Sequence, residues 1–173
     1  MGHVMQVYLG DKAQLEGVIG GKDEALLSRL LAAGDGADED AIDPEIFRAI
    51  INGGPFDEED ADEYTAAMHL ICSILGDQSI DSVVFHFQSC PDIVDIFYDW
   101  AFEDLLPEPE GSGCAIWTKE SNADELDERI EDKGADFIDE DSGEIDRDEV
   151  DDETYWMNES RLAGKDLIFF WGV

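Results

Sequence analysis

Forty-five Asp and Glu against ten Lys and Arg leave the chain with a formal charge of −35, and whatever it folds into must hold together against that repulsion. Only a sizeable apolar core can do so, and the material for one is present. Hydrophobic residues make up 43% of the sequence, with nine Phe, four Trp and four Tyr, so disorder of the whole chain is not expected. A length of 173 residues suits one domain over 1–173, since two would each be small for an independent core. The charge also selects partners. Nucleic acid and anionic membrane are repelled at long range, so neither is expected to bind. A basic protein is attracted, at rates that fall with ionic strength.

No run approaches the roughly 20 apolar residues of a membrane span. The opening residues 1–9 lack the basic region and long apolar stretch of a secretory signal. Cys72, Cys90 and Cys114 are widely spaced and odd in number, unlike a secreted disulfide framework. A cytoplasmic protein with free, mostly buried thiols is the expectation.

Alternation over residues 3–9 predicts a first strand, and Leu15, Val18 and Ile19 predict a short helix over 12–19 that stops at Gly20-Gly21. Leu26, Leu27, Leu30 and Leu31 predict a second helix over 23–33, ending at Gly34. Asp43-Pro44 supplies a cap for a third, with Ile46, Phe47, Ile50 and Ile51 at helical spacing. The strongest pattern, Tyr64, Met68, Ile71 and Leu75, predicts a helix over 58–75 whose first-turn acids suit the helix dipole. Residues 82–88 read as a strand, and Pro91 as the start of a helix ending before Pro107. A turn-rich connector over 107–113 leads to a strand at 114–118. Asn122 with Glu125 predicts a capping box for a surface helix to about 132. Residues 134–153 read as an acidic, loop-rich segment, and the apolar run 167–171 as a buried strand. The fold class is α+β, with about four strands packed by five to six helices.

Candidate chemistry is sparse. With Gly143 at the turn of a calcium-binding loop, Ile145, Asp146 and Glu149 fall in register, but Ile138 takes the obligatory first-ligand position. A solvated acidic loop with weak divalent-cation affinity is the expectation. His69 and Cys72, with His86 and Cys90, could number four zinc ligands, but their spacing favours a core role. The overall charge opposes a reactive thiolate, and no phosphate-binding or nucleophile-elbow motif occurs. No catalytic residue, cofactor or specific metal is expected, and the chain does not read as an enzyme. Tyr98, Trp100 and Phe102 alternate and so cannot all face one core from a helix. They and Tyr155-Trp156-Met157 are aromatic anchors suited to an interface, or else buried.

The opening, Val7-Tyr8-Leu9 with Leu15, Val18-Ile19-Gly20 and residues 22–27, resembles the start of uncharacterised acidic bacterial accessory or immunity-type proteins. The resemblance covers about the first 35 residues, rests on strand-then-helix patterning, and transfers no catalytic residue. It implies a small accessory or immunity protein. The leading expectation is therefore an acidic binding protein, an immunity protein or inhibitor for a basic, nuclease-like partner. Two blocks would make contact: residues 35–63, with twelve acids and one Arg, and residues 120–153, with eighteen acids and three basic residues. Within them Asp57, Glu58, Glu59, Asp60, Asp139, Glu140, Asp141, Asp148, Glu149 and Trp156 are the candidate contact residues. The alternatives are acidity that serves solubility at high salt, and weak divalent-cation binding.

Overall fold

The apolar run at 167–171 can satisfy both of its faces only inside a sheet, and there it lies. The structure, a computed structural model, describes residues 3–34, 41–85, 96, 100–134 and 136–173. Four antiparallel strands, β1 (His3–Gly10), β2 (Gln78–Phe85), β3 (Gly113–Trp117) and β4 (Asp166–Trp171), are ordered β2-β1-β4-β3. β4 pairs with β1 from Met5 opposite Trp171 to Gly10 opposite Asp166, and with β3 from Gly113 opposite Trp171 to Trp117 opposite Leu167. Successive side chains alternate between faces. Leu167, Phe169 and Trp171 join Met5, Val7, Leu9 and Ala115 on one face, while Ile168 and Phe170 join Tyr8 and Cys114 on the other.

The second face is covered by α1 (Lys12–Glu16), α2 (Glu24–Gly34), α3 (Pro44–Asn52) and α4 (Ala61–Leu75), the last preceded by a 3-10 turn at Glu58–Asp60. Their ends are specified locally. Asp11 accepts a hydrogen bond from the Gln14 N–H, and Asp43 accepts one from the Glu45 N–H ahead of Pro44. Gly53 and Gly76 close α3 and α4 in the left-handed conformation. Gly53 also needs its bareness: a Cβ there would stand 3.0 Å from the Gly20 Cα. The Gly20 and Lys22 N–H groups donate to the Ile50 and Ile51 carbonyls at 2.8 and 2.9 Å, docking the loop after α1 onto the end of α3. α1 ends at Glu16 rather than 19, because glycines at 17, 20 and 21 weaken its continuation.

The first face carries α5 (Lys119–Lys133) and α6 (Asp152–Ala163). α5 begins three residues before the expected capping box, at Lys119, capped by Thr118, whose hydroxyl accepts from the Ser121 N–H. Asn122 is buried within the helix instead, where its Nδ2 donates to the Trp117 carbonyl at 3.3 Å and to Ser160 Oγ at 3.0 Å. These tertiary partners outcompete the local cap. α6 begins inside the acidic run, where no helix was expected. Asp151 caps it by accepting from the Thr154 N–H at 2.8 Å, and Asp152 and Glu153 sit at the positive end of its dipole. Trp156 is fully buried against Phe169, which corrects its expected place on a partner-facing surface. Its Nε1 donates to Asp81 Oδ2 of β2 at 2.8 Å.

The fold is α+β, with four strands and six helices among the described residues. β2 starts four residues ahead of the expected strand, and residues 86–88 of that expectation lie outside the described residues. So do 91–95 and 97–99 of the helix expected after Pro91; its remainder, 101–105, forms turns in which the Leu105 and Leu106 N–H groups donate to the Phe102 carbonyl. Among the described residues no helix is long and apolar enough to cross a membrane.

One carboxylate ties the two helical layers to the sheet. Asp166, the first residue of β4, accepts from the Lys12 N–H at 2.8 Å and the Lys119 N–H at 2.9 Å, the first residues of α1 and α5. At the other end of β4, the Trp171 ring lies over Gly113, where a Cβ would meet Trp171 Cζ2 at 2.1 Å. Gly113→Ala is expected to destabilise the protein by about 1–3 kcal/mol through this overpacking, seen as a lower urea midpoint; an unchanged midpoint would contradict the packing.

Candidate partner-binding surface

Where they are described, the two acidic blocks differ in how their charge is compensated. Beside α5 and α6, three of the protein's own cations pair with part of it. Arg129 reaches Glu153 at 2.7 Å, Asp151 at 3.1 Å and Glu125 at 3.2 Å, and Lys133 reaches Asp151 at 2.7 Å. Arg147 reaches Asp81 at 2.6 Å and Asp152 at 3.7 Å, with its guanidinium 4.2 Å from the centre of the Tyr155 ring. Arg161 donates to the Gly143 carbonyl at 2.6 Å and to Asn158. The acidic loop is thereby fastened to α6 and β2.

The loop is also ordered from within. Ile138 bridges to Ile145, the Asp139 N–H donates to the Glu144 carbonyl and the Asp146 N–H to that of Phe137, all around a left-handed Gly143. Asp139 Oδ1 accepts from the Asp141 and Ser142 N–H groups at 3.0 and 2.8 Å and from Ser142 Oγ at 2.9 Å. It holds a turn. Glu140, Asp141, Asp148 and Glu149 are exposed on this loop.

Across the molecule, the 3-10 turn and the start of α4 face the 103–110 segment over a cleft of about 840 Å³. Glu58, Glu59 and Asp62 stand on one wall, and Glu103, Asp104, Glu108 and Glu110 on the other. Between them lie Phe56, Leu105, Leu106 and Pro107, of which Leu105 is 37% exposed. None of the seven carboxylates forms an ion pair among the described residues, where the ion pairs are those of Lys12, Arg48, Arg129, Lys133 and Arg147. Asp62 joins the walls. Its Oδ1 accepts from Ser112 Oγ at 2.6 Å and from the Gly111 N–H at 3.1 Å.

Of the candidate residues, Glu58 and Glu59 line this cleft. Asp57 and Asp60 line a neighbouring depression of about 520 Å³ with Pro55, Phe56 and Tyr64. Asp57 also caps the 3-10 turn through the Glu59 N–H, and its own N–H donates to the Tyr64 hydroxyl. Asp139, Glu140, Asp141, Asp148 and Glu149 are not part of the cleft. Sequence reasoning missed Asp62 and the acids of 103–110. The signal available was Glu103-Asp104 followed by Pro107-Glu108-Pro109-Glu110, carboxylates on a proline-stiffened turn.

The candidate metal and nucleophile residues serve the core where they are described. Tyr8 and His69 share a 2.8 Å hydrogen bond between the hydroxyl and Nε2, and burial lowers the His69 pKa. Cys72 and Cys114 are buried free thiols. Burial pushes both pKa values up, helped at Cys72 by the adjacent Asp77, whose Oδ2 lies 3.1 Å from Sγ. Thiols held protonated in this way are poor nucleophiles. Among the described residues no three His, Cys, Asp or Glu side chains are grouped to hold a metal ion. His86, Cys90 and Tyr98 lie outside the described residues. Phe102 is buried and Trp100 half-buried against it, with the Trp100 Nε1 donating to the Leu106 carbonyl at 3.3 Å.

A family model spans this whole arrangement, matching residues 1–172. The chain belongs to the family described as Domain of unknown function (DUF7691). No curated protein and no solved structure matches it. The family's description assigns no chemistry, so the cleft and the fastened loop of this DUF7691 member are the features that bear on a function.

Four carboxylates make stability depend on pH in two senses. Burial raises the pKa of Asp77 and, with Glu144 nearby, that of Glu159. Groups raised in the folded state cost stability at neutral pH, and the cost is lifted as pH falls through their folded values. Partial burial opposes ionisation of Asp151, but hydrogen bonds from Lys133 and Thr154 outweigh it and hold that carboxyl below the usual range. Hydrogen bonds from Ser142 and Asp141 lower Asp139. Groups depressed in this way stabilise above the unfolded carboxylate range and lose that contribution as pH falls through their folded values. With unfolded carboxylates near about 3.9–4.3, the Tm at low salt is expected to rise from neutrality to about pH 5 and to fall below about pH 4. A Tm that declined steadily from neutrality downward would contradict this.

Proposed function

We propose that the chain is a cytoplasmic, non-enzymatic binding protein that neutralises a basic protein, as an immunity protein or inhibitor for a nuclease-like partner, and that the cleft beside the 3-10 turn makes the contact. The observation that carries the reading is the contrast in compensation. Near α5 and α6, Arg129, Lys133 and Arg147 hold Glu125, Asp151, Asp152 and Glu153 in ion pairs, whereas none of the seven carboxylates around the cleft has an ion-pair partner among the described residues. A surface left with one sign of charge draws an opposite surface by long-range attraction and then by contact. A nuclease carries such a cationic surface to hold phosphates, and a protein that presents carboxylates in their place obstructs it. The reading narrows the candidate contacts to Glu58 and Glu59 with the acids of 103–110, and gives Asp139 a part in folding.

Acidity as an adaptation to high salt has its own support in α5. Asp124, Asp127, Glu128, Glu131 and Asp132 are exposed there and do not line the cleft. Under that reading the Tm climbs by many degrees between low and molar KCl, and no partner is needed.

Capture from the native host at moderate salt is expected to recover a strongly basic protein. Neutralising four cleft acids (Glu58→Gln, Glu103→Gln, Asp104→Asn, Glu108→Gln) should weaken its binding by roughly fourfold to several-hundredfold, since exposed charge pairs contribute roughly 0.2–1 kcal/mol each. Neutralising Glu140, Asp141, Asp148 and Glu149 together should change it little. Equal losses from the two sets, or capture only of abundant basic proteins that salt removes, would count against the reading.

A further inference from the structure

Resting on that reading, we propose that the cleft receives an extended segment of the partner in which apolar side chains are flanked by lysines or arginines. A purely cationic segment would meet the carboxylates and leave the apolar lining uncovered. Phe56 is half-buried and Leu105 is 37% exposed among the carboxylates that line the cleft. Apolar surface in that position gains from being covered, by roughly 25 cal/mol for each Å² removed from water. Long Lys and Arg side chains can lay their stems along such a lining while their charged ends reach the carboxylates. The acids on both walls, Glu58 and Glu59 facing Glu103 and Glu108, allow cations on either side of an apolar residue to be met.

The site is also held in shape before anything binds. Asp62 is engaged by Ser112 and the Gly111 N–H, so it fixes the 103–110 wall to the start of α4. Leu106 anchors the same wall in the core at 4% exposure. A preformed cleft spares the ordering cost that a mobile loop would add on binding. Asp62 is therefore a positioning residue, and the remaining six carboxylates are free to meet the partner's charges.

The test uses the full-length protein and two labelled peptides. One carries a pair of leucines between pairs of arginines; the other has the leucines replaced by glycines. Fluorescence anisotropy at about 0.15 M salt, where the screening length is about 8 Å, should show the leucine peptide binding at least about tenfold more tightly. Leu105→Ser, a change at an exposed position that should leave the melting curve intact, should erase that advantage. Equal binding of the two peptides, or an advantage that survives Leu105→Ser, overturns the inference while leaving the binding function standing. Failure of both peptides overturns the inference alone if a basic protein is still captured, and both proposals if none is.

Discussion

The burial of β4 on both sides sets the rest of the architecture. A strand whose residues 167–170 are all fully buried cannot sit at an edge or leave one face to water. β1 and β3 must flank it, and helices must cover the sheet above and below. The chain meets this by placing α1–α4 on one face and α5 and α6 on the other. Where they are described, the acidic segments that follow or precede those helices go with them. The separation that distinguishes the two blocks therefore follows from the apolar run at the end of the chain.

Given that layout, the few cations decide how each side behaves. Arg129, Arg147 and Arg161 each touch two or more groups, and their partners span α5, α6, β2 and the acidic loop. Asp81 shows how closely polar and apolar packing are joined here: it accepts from Arg147 and from the buried Trp156 through the same oxygen. A half-buried carboxylate with two donors is satisfied, and its loss would strand the indole N–H in the core. On the cleft side the ion pairs among the described residues are those of Lys12 with Glu16 and Arg48 with Glu45, and neither reaches the cleft's carboxylates.

The legible parts of the sequence were those in which local and global preferences agree. Residues 167–171 read as a buried strand because no other environment suits five consecutive large apolar side chains. α3 and α4 read correctly because Asp43-Pro44, Gly53 and Gly76 supply caps in the same register as the apolar stripe. α6 did not, because its cap and first turn, Asp151, Asp152 and Glu153, look like a continuation of the acidic run. Asn122 misled for the opposite reason: it has the chemistry of a cap, but Ser160 and the Trp117 carbonyl, brought in by the fold, claim it. The cleft was half legible. Glu58 and Glu59 stood out, but the opposing wall comes from 103–110, and only the seating of β3 beside β4 brings the two together. No periodicity in either segment announces that.

The sheet's hydrogen-bonding order has a consequence for how the molecule is assembled. β3 touches the sheet only through β4, and β1, bonded to β2 on one side, finds its second neighbour only in residues 166–171. Until that segment docks, the β1–β2 ribbon shows an open backbone edge with Met5, Val7 and Leu9 beside it, and β3 has nothing to join. Closure links positions more than 150 residues apart, a slow kind of contact to form, and it recruits two strands at once. Weakening β4 therefore splits the sheet in the middle instead of fraying it from a border.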